Sequence, residues 1–305
     1  MAMSIDSGPH GWLVIDKPLG MSSNRVVQLI RRSTCAKVGH AGTLDPLATG
    51  VLPIAIGEAT KTIAYAMMGR KRYRFRVRWG IARSTDDREG EITGECDLRP
   101  TRRAIDATLP RFIGTIAQRP PAYSAIKVNG RRAYLLARRA ASPSLPARPV
   151  EIVELQLVAI RDPDHADCEA LVGKGTYIRA LARDLGTALG TFAHVVELRR
   201  LSVGRFSETQ AIALDSFKDR HISADYGHLL PIEAALDDIP AVRLTEAEAA
   251  RLRNGQSLTP GDPGEWVGFD ELVEGTIVSA RYNQALIALA RIEDGRLRPI
   301  RVMNC

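Results

Sequence analysis

Residues 39–53 read Gly39-His40-Ala41-Gly42-Thr43-Leu44-Asp45-Pro46-Leu47-Ala48-Thr49-Gly50-Val51-Leu52-Pro53. Three glycines and two prolines among these residues predict a tight, irregular backbone, because glycine permits positive φ and proline fixes its own φ. Such a loop can hold a polar side chain rigidly at a surface. A phosphate cradle is one interpretation, but the segment lacks the Gly-Lys-Ser/Thr ending of a P-loop and the glycine spacing of a dinucleotide fingerprint. From these residues alone, Asp45 is first an ordinary turn residue before proline, and a catalytic carboxylate is the alternative.

Local patterns on both sides of this loop predict short strands and helices. Residues 12–15 form a predicted strand that ends at Lys17-Pro18-Leu19-Gly20, after which Ser22 or Ser23 can cap a helix. Residues 58–68 are expected to form a second helix, ended by the glycine that follows.

The clearest periodicity of the chain lies between residues 71 and 79. Apolar side chains alternate there with arginines: Tyr73, Phe75, Val77 and Trp79 against Arg72, Arg74, Arg76 and Arg78. In a strand, such a period of two places the two sets on opposite faces. We expect one face in the core and a basic stripe on the outward face.

A second strand and helix follow further along the chain. Residues 166–172 alternate apolar and polar positions, and Leu181, Leu185 and Leu189 then recur at helical spacing. The turn between them, residues 173–175, places Tyr177 and Arg179 near a strand–helix junction.

The basic charge of the chain is uneven. The 305 residues carry a net charge of +7, but residues 240–305 hold eight basic and nine acidic side chains. Residues 107–150 hold eight Arg or Lys and no acid. A solvated basic loop is one explanation, and a nucleic-acid partner is the other, because a stretch of like charges is stabilised by a polyanion.

Several classes of protein are disfavoured. No apolar run approaches the roughly 18 residues of a spanning helix, and residues 1–10 lack the layout of a signal peptide. The four cysteines are far apart in sequence, with no pair at metal-ligand spacing. We expect reduced thiols and a cytoplasmic protein without a membrane partner.

The chain is long enough for two domains. A boundary is expected near residues 239 and 240, followed by a short helix with a capping-box pattern at Thr245-Glu246-Ala247-Glu248 and then a small β-rich domain. An Arg-, Pro-, Ser- and Ala-rich segment, residues 120–149, indicates an exposed insertion in the first domain.

Taken with other motifs, the loop around Asp45 resembles the Gly-His-x-Gly-Thr-Leu-Asp-Pro signature of the TruB family of tRNA pseudouridine synthases. Further segments recur in the family's order: Gly57-Glu58-Ala59-Thr60-Lys61, Lys71-Arg72-Tyr73, Pro120-Pro121-Ala122-Tyr123-Ser124-Ala125-Ile126-Lys127, Lys174-Gly175-Thr176-Tyr177-Ile178-Arg179 and His194-Val195-Val196-Glu197-Leu198-Arg199-Arg200-Leu201. The resemblance covers about residues 11–205. It implies an α+β fold with a mixed, largely antiparallel sheet flanked by helices.

The resemblance also implies a domain plan. Residues 1–239 would be the catalytic domain, with an RNA-clamping insertion at about 121–148. Residues 240–305 would be a PUA-like RNA-binding domain, with Arg251, Arg253 and Arg281 in a small patch.

Roles for single residues follow from the same resemblance. The catalytic residues would be Asp45 as the nucleophile, Arg179 as its ionic partner, and Tyr73, which stacks on uracil and helps with proton transfer. Tyr177 and Leu198 would line the uracil pocket. Two further predictions follow from the resemblance: His40 would hold the RNA loop, and Lys61 would support the site or contact phosphate.

These residue types suit the isomerisation of uridine at position 55 of the T-loop of tRNA. The reaction breaks the N1–C1′ bond, turns the base and joins C5 to the sugar, with no net redox change, so neither a metal nor a nicotinamide cofactor is expected. A carboxylate can act as a covalent nucleophile, and an adjacent guanidinium favours its ionised form. The target base must leave its stack, and an aromatic face then offers roughly 1–3 kcal/mol of stacking.

Two other functions compete with this hypothesis. A non-catalytic tRNA-binding or folding protein on the same scaffold would be expected to lose the aspartate or the Lys-x-Tyr strand, and both are intact. A hydrolase using Asp45 with His40 lacks a supporting Gly-x-Ser-x-Gly or metal-ligand motif. We expect a monomer that acts on tRNA.

Overall fold

The computed structural model describes residues 8–124, 126–128, 131–132, 145–217, 227–259 and 273–304. The α-helices of these residues are α1 (Ser23–Thr34), α2 (Ile63–Ala66), α3 (Arg102–Thr108), α4 (Ile178–Ala188) and α5 (Glu246–Arg253). The strands are β1 (Gly11–Lys17), β2 (Val38–His40), β3 (Ala48–Ile56), β4 (Lys71–Trp79), β5 (Ile81–Arg83), β6 (Ile92–Glu95), β7 (Gly114–Gln118), β8 (Lys127–Val128), β9 (Arg131–Arg132), β10 (Arg148–Asp162), β11 (His165–Val172), β12 (Ala193–Val203), β13 (Phe206–Ser207), β14 (Ile212–Ala213), β15 (Ala241–Arg243), β16 (Ile277–Tyr282), β17 (Ala285–Glu293) and β18 (Arg296–Val302). The α+β class predicted from the sequence is confirmed.

A large mixed sheet forms the centre of the fold. Its strand order is β14-β1-β3-β12-β4-β11-β10-β7, with β2 beside β3 and β13 beside β12. The pairs β1–β14 and β3–β12 are parallel, and the other neighbours are antiparallel. One face packs against α1 and α4 through a single apolar cluster that includes Val26, Ile30, Phe75, Leu181 and Leu185. The loop before β3 lies beside β4, β11 and β12, because residues of the loop and of these three strands line one cavity.

Strand β4 separates its side chains as the alternation predicts. Phe75, Val77 and Trp79 are buried, and the four arginines point to the other face. That face carries an ion-pair network in which each arginine meets a carboxylate: Arg72 with Glu154 and Glu169, Arg74 with Glu169, Arg76 with Asp167 and Glu197, and Arg78 with Asp164, at 2.6–3.1 Å. The expected outward stripe is thus present but neutralised by acids of neighbouring strands.

The predicted helix over residues 58–68 is wrong in its form. Residues 57–62 make a 3-10 helix, and only Ile63–Ala66 are α-helical. The hydroxyl of Thr60 donates to the carbonyl of Gly57 at 2.7 Å, and that of Thr62 donates to the carbonyl of Ala59 at 2.8 Å. These bonds to residues three positions earlier accompany the tighter turn and compete with the α-helical pattern.

A smaller sheet of four strands follows in the order β15-β16-β17-β18. Helix α5 precedes most of it and begins with the predicted capping box: the hydroxyl of Thr245 accepts from the N–H of Glu248, and the carboxylate of Glu248 accepts from the N–H of Thr245. The two sheets meet in an apolar cluster that includes Trp12, Leu286, Leu289 and Met303. The division of the chain near residue 240 into two functional domains stays a prediction.

Most of the predicted insertion, residues 121–148, lies outside the described residues, so its proposed clamping of RNA is untested. In the part of the chain that the structure describes, no helix is both long and apolar enough to cross a membrane.

Candidate active site

The loop that carries Asp45 is fixed from three sides. The buried hydroxyl of Ser23, at the start of α1, donates to the carbonyl of Leu44 at 2.9 Å and accepts from its N–H at 2.8 Å. The Nζ of Lys17, which is 0% exposed, donates to the carbonyls of the neighbouring turns, Met21 at 2.6 Å and Pro46 at 3.4 Å. A loop whose backbone groups are satisfied in this way holds its side chains in one position.

A buried arginine completes this support. Arg200 of β12 is 1% exposed, and its guanidinium donates to the carbonyls of Val51 and Gly42 at 2.8 and 2.9 Å. Gly50 has φ +98°, and a Cβ there would lie 2.2 Å from the carbonyl oxygen of Arg200. Only glycine therefore allows β3 and β12 to approach so closely at this point.

Asp45 forms an ion pair with Arg179. The Nε of Arg179 lies 2.9 Å from Oδ2 of Asp45, and the Asp45 side chain is 36% exposed. The geometry is that of a charge contact, because the Nε–H makes no directed hydrogen bond. Asp45 is therefore held next to a fixed positive charge and is still accessible to a substrate.

Arg179 is itself held by the loop that follows β5. Its Nη1 donates to the carbonyl of Thr85 at 2.8 Å and lies 3.4 Å from Oδ2 of the buried Asp87. Its Nη2 donates to the carbonyl of Tyr123 at 2.9 Å. A rigid guanidinium with these partners has little freedom to leave Asp45.

A cavity of about 260 Å³ opens in front of Asp45. Tyr73, Tyr177, Arg179 and Leu198 line it. Tyr177 is the N-cap residue of α4. Its N–H donates to the side-chain oxygen of the buried Gln118 at 2.9 Å, and its carbonyl accepts from the side-chain nitrogen of Gln118 at 3.2 Å. Leu198 is 7% exposed and lies beside Phe75 in the sheet register. The cavity thus combines one carboxylate, one paired guanidinium, two phenol rings and an apolar wall.

Burial shifts several ionisable groups around the cavity. Burial lowers the pKa of Lys17 to about 8, an effect that the charge of Asp45 opposes. Burial, together with the neighbouring charges of Arg200 and Lys174, also lowers the pKa of Lys71 to about 8. The pKa of Tyr177 is raised by burial. These shifts reflect the loss of water around each group, which disfavours its charged form.

Two predicted site residues lie elsewhere. His40 is on β2, outside the residues that line the cavity, and burial followed by the charge of Arg200 lowers its pKa, which favours the neutral imidazole. Lys61 contacts the Glu58 carboxylate and donates to the carbonyl of Val302 at 2.7 Å. The structure therefore brings five of the predicted residues together but not these two.

Lys71, Asp87 and Arg200 also belong to this region, and none of them received a role from the sequence. Lys71 and Arg200 stand inside the quoted motifs. Asp87 pairs with Arg179, which is far away in sequence, so only the structure shows their contact. No group of three or more His, Cys, Asp or Glu side chains in the described ranges is placed to hold a metal ion.

Comparisons with known proteins match this chain over nearly its full length. Residues 31–178 match the family described as TruB family pseudouridylate synthase (N terminal domain), and residues 179–237 match the tRNA pseudouridylate synthase B C-terminal domain. The tRNA pseudouridine synthase B of Rhodospirillum rubrum is 52% identical over 97% of this chain and 96% of its own length. Its namesake in Caulobacter vibrioides is 49% identical over 96% of both chains.

A solved structure shares the fold. The crystal structure of the archaeal box H/ACA sRNP Nop10–Cbf5 complex contains a chain that superposes with a TM-score of 0.71 at 23% identity, covering 96% of this chain and 86% of that chain. At this identity the likeness concerns the fold alone.

Proposed function

Since this chain belongs to the TruB family of pseudouridylate synthases, we propose that it isomerises uridine to pseudouridine in tRNA, at position 55 of the T-loop. The activity is that of an isomerase acting on RNA. The observation that carries the assignment of residues is the shared cavity of Asp45, Arg179 and Tyr73. Asp45 acts there as the nucleophile.

The surroundings of Asp45 support this role. Its carboxylate faces the cavity beside the fixed charge of Arg179, at 2.9 Å, and the loop that carries it is bonded to α1 and β12. A nearby positive charge favours the ionised carboxylate that a nucleophile requires. Because Arg179 is held by Thr85 and Asp87, this electrostatic environment is organised before the substrate arrives.

The remaining walls suit a uracil ring that has left its stack. Tyr73 offers an aromatic face, while Tyr177 and Leu198 exclude water from the reacting atoms. In the reaction the N1–C1′ bond breaks, the base turns within the cavity and C5 bonds to C1′. The hydrogen on C5 then leaves to solvent as a proton, and N1 gains one. No atoms are gained or lost overall, and the base has only to remain bound while it turns.

Other parts of the chain have supporting roles in this proposal. His40, neutral and outside the cavity, holds the RNA loop from which the uridine has been extruded. Lys61 supports the site indirectly, because it joins the 3-10 helix after β3 to the carbonyl of Val302 at the end of β18. Residues 240–305 act as a PUA-like module that positions tRNA through a patch including Arg251, Arg253 and Arg281. We propose that the protein works as a cytoplasmic monomer.

Tritium release from C5-labelled uridine tests the function. The purified chain is expected to release tritium from a tRNA transcript labelled in its uridines, and no release is expected when position 55 is changed to cytidine. Release that continues without uridine 55 would remove the positional assignment. Tight tRNA binding with no release from either transcript would favour the binding and folding protein instead.

A further inference from the structure

The cavity in front of Asp45 contains more positive charge than the chemistry on uracil uses. Its lining includes four cations, Lys71, Lys174, Arg179 and Arg200, and one carboxylate, Asp45. Arg179 is accounted for by its ion pairs. Arg200 holds the carbonyls of Gly42 and Val51, but its charge, like the charges of Lys71 and Lys174, has no carboxylate partner among the described residues.

The sheet brings these three cations together. Lys71 opens β4, where it lies opposite Val172 of β11 on one side and Val203 of β12 on the other. Lys174 follows two residues after the end of β11. Arg200 lies on β12, opposite Tyr73. Three adjacent strands thus bring a cation, from the strand itself or from the turn after it, to the lining of the same cavity.

Two of these cations are buried without a carboxylate partner among the described residues. Arg200 is 1% exposed and donates only to carbonyl oxygens, and Lys71 is 8% exposed with its Nζ 2.5 Å from the carbonyl of Met67. The more exposed Lys174 makes its described contact, at 3.5 Å, with the sulfur of Met68. Burying like charges near one another is unfavourable unless an anion joins them.

The outer face of the same strand provides an internal comparison. There each of Arg72, Arg74, Arg76 and Arg78 meets at least one carboxylate. On the cavity side, Arg179 is paired with Asp45 and Asp87, whereas Lys71, Lys174 and Arg200 have no acidic partner among the described residues. The contrast indicates that the cavity is prepared for an anion supplied by a ligand.

We infer that Lys71, Lys174 and Arg200 bind a phosphodiester group of the RNA backbone next to the extruded uridine. This inference rests on the proposed function, because the uracil ring lies at Asp45 and Tyr73 and its backbone must then pass the Lys71 end of the cavity. Lys71 and Tyr73 are two residues apart on β4, a span of roughly 7 Å. The subsite anchors the sugar–phosphate while the base turns.

The salt dependence of RNA binding tests this subsite. Affinities for a T-arm hairpin would be measured in an Asp45→Asn background, which prevents turnover, over a series of NaCl concentrations. The slope of log affinity against log salt is expected to fall in Lys71→Met and in Lys174→Gln, and by about 0.7–0.9 in the double variant, the value for the loss of one phosphate contact. Arg74→Gln, on the outer face, is the matched control and should keep the slope.

A neutral phosphate analogue identifies the group that is bound. A methylphosphonate placed at one of the two linkages flanking the target uridine is expected to weaken binding about tenfold in the Asp45→Asn protein and to have a smaller effect when Lys71→Met is added. Unchanged slopes in both lysine variants, or equal losses with and without Lys71, would overturn the inference. Lys174→Gln decides the matter if Lys71→Met does not fold, because Lys174 is exposed. Tritium release by the unmodified protein checks the proposed function separately, so the two can fail independently.

Discussion

At neutral pH, Lys71→Met is expected to stabilise the protein while it weakens RNA binding. Lys71 is 8% exposed, and its charged neighbours in the cavity are Arg200 from β12 and Lys174 after β11. Burial and these two charges lower its pKa from 10.5 to about 8. The buried ammonium group therefore lowers the free energy of unfolding, and methionine, which has a similar length and no charge, does not.

The size of the effect follows from linkage. A shift from 10.5 to about 8 corresponds to roughly 3 kcal/mol at 1.36 kcal/mol per unit, and loss of the hydrogen bond to the Met67 carbonyl returns about 1 kcal/mol. The net gain is about 2 kcal/mol below pH 8. Because the folded pKa lies below the unfolded one, the wild-type protein regains this stability as pH rises from 8 towards 10.5. The advantage of the variant should then shrink by up to about 1.4 kcal/mol per pH unit.

Urea denaturation of both proteins at several pH values between 6.5 and 9.5 measures this difference. Lys17, which has a similar shift, is present in both proteins and cancels in the comparison. Arg74→Gln serves as a control for the loss of one positive charge at the surface. A variant that is less stable than the wild type at pH 7, or a difference that does not depend on pH, would refute the reasoning.

Three further substitutions probe the support of Asp45. Arg179→Lys keeps a charge but loses the fixed guanidinium contacts, so kcat should fall at least a hundredfold in the tritium-release assay while RNA affinity changes little. Activity within threefold of wild type would contradict the role of the ion pair between Arg179 and Asp45. Ser23→Ala removes both hydrogen bonds to the Leu44 backbone and should cost about 1–3 kcal/mol in urea denaturation, and no loss would mean that the loop is held by other contacts. Gly50→Ala places a Cβ 2.2 Å from a carbonyl oxygen at a positive φ, so thermal melting followed by circular dichroism should show a clear decrease in Tm, and an unchanged Tm would mean that the two strands are not so close.

Features set by neighbouring residues could be predicted from the sequence. The capping box at Thr245, the strand before Lys17 and the opposite faces of β4 depend on spacing over a few residues, and the structure has all three. The predicted helix after Gly57 was wrong in form because the hydroxyls of Thr60 and Thr62 bond backbone carbonyls three residues earlier, a local competition that the sequence prediction did not include.

Features that depend on sheet order could not be predicted. The carboxylates that neutralise Arg72 and Arg76 come from β10, β11 and β12, more than eighty residues away in sequence. The strand pattern shows that the arginines share a face, but it does not show which strands lie beside them. The same limit applies to Lys71 and Arg200, whose shared place at the cavity follows from the adjacency of β4 and β12.

The candidate site was predictable to the extent that its residues lie in recognisable motifs. Asp45, Tyr73 and Arg179 come from three separate segments, and the structure joins them in one cavity. His40 lies in the same motif as Asp45, yet β2 carries it away from the cavity lining. The expected contact of His40 with the RNA loop stays a prediction.

The role of Asp45 is tested most directly by comparing two aspartate-to-asparagine substitutions. Asp45→Asn is expected to abolish tritium release from the labelled transcript while the affinity for tRNA stays within a few-fold of wild type. Asp106→Asn changes an exposed aspartate of α3 in the same way and should release tritium at the wild-type rate. Substantial turnover by Asp45→Asn would contradict the account, since no other carboxylate among the described residues lines that cavity.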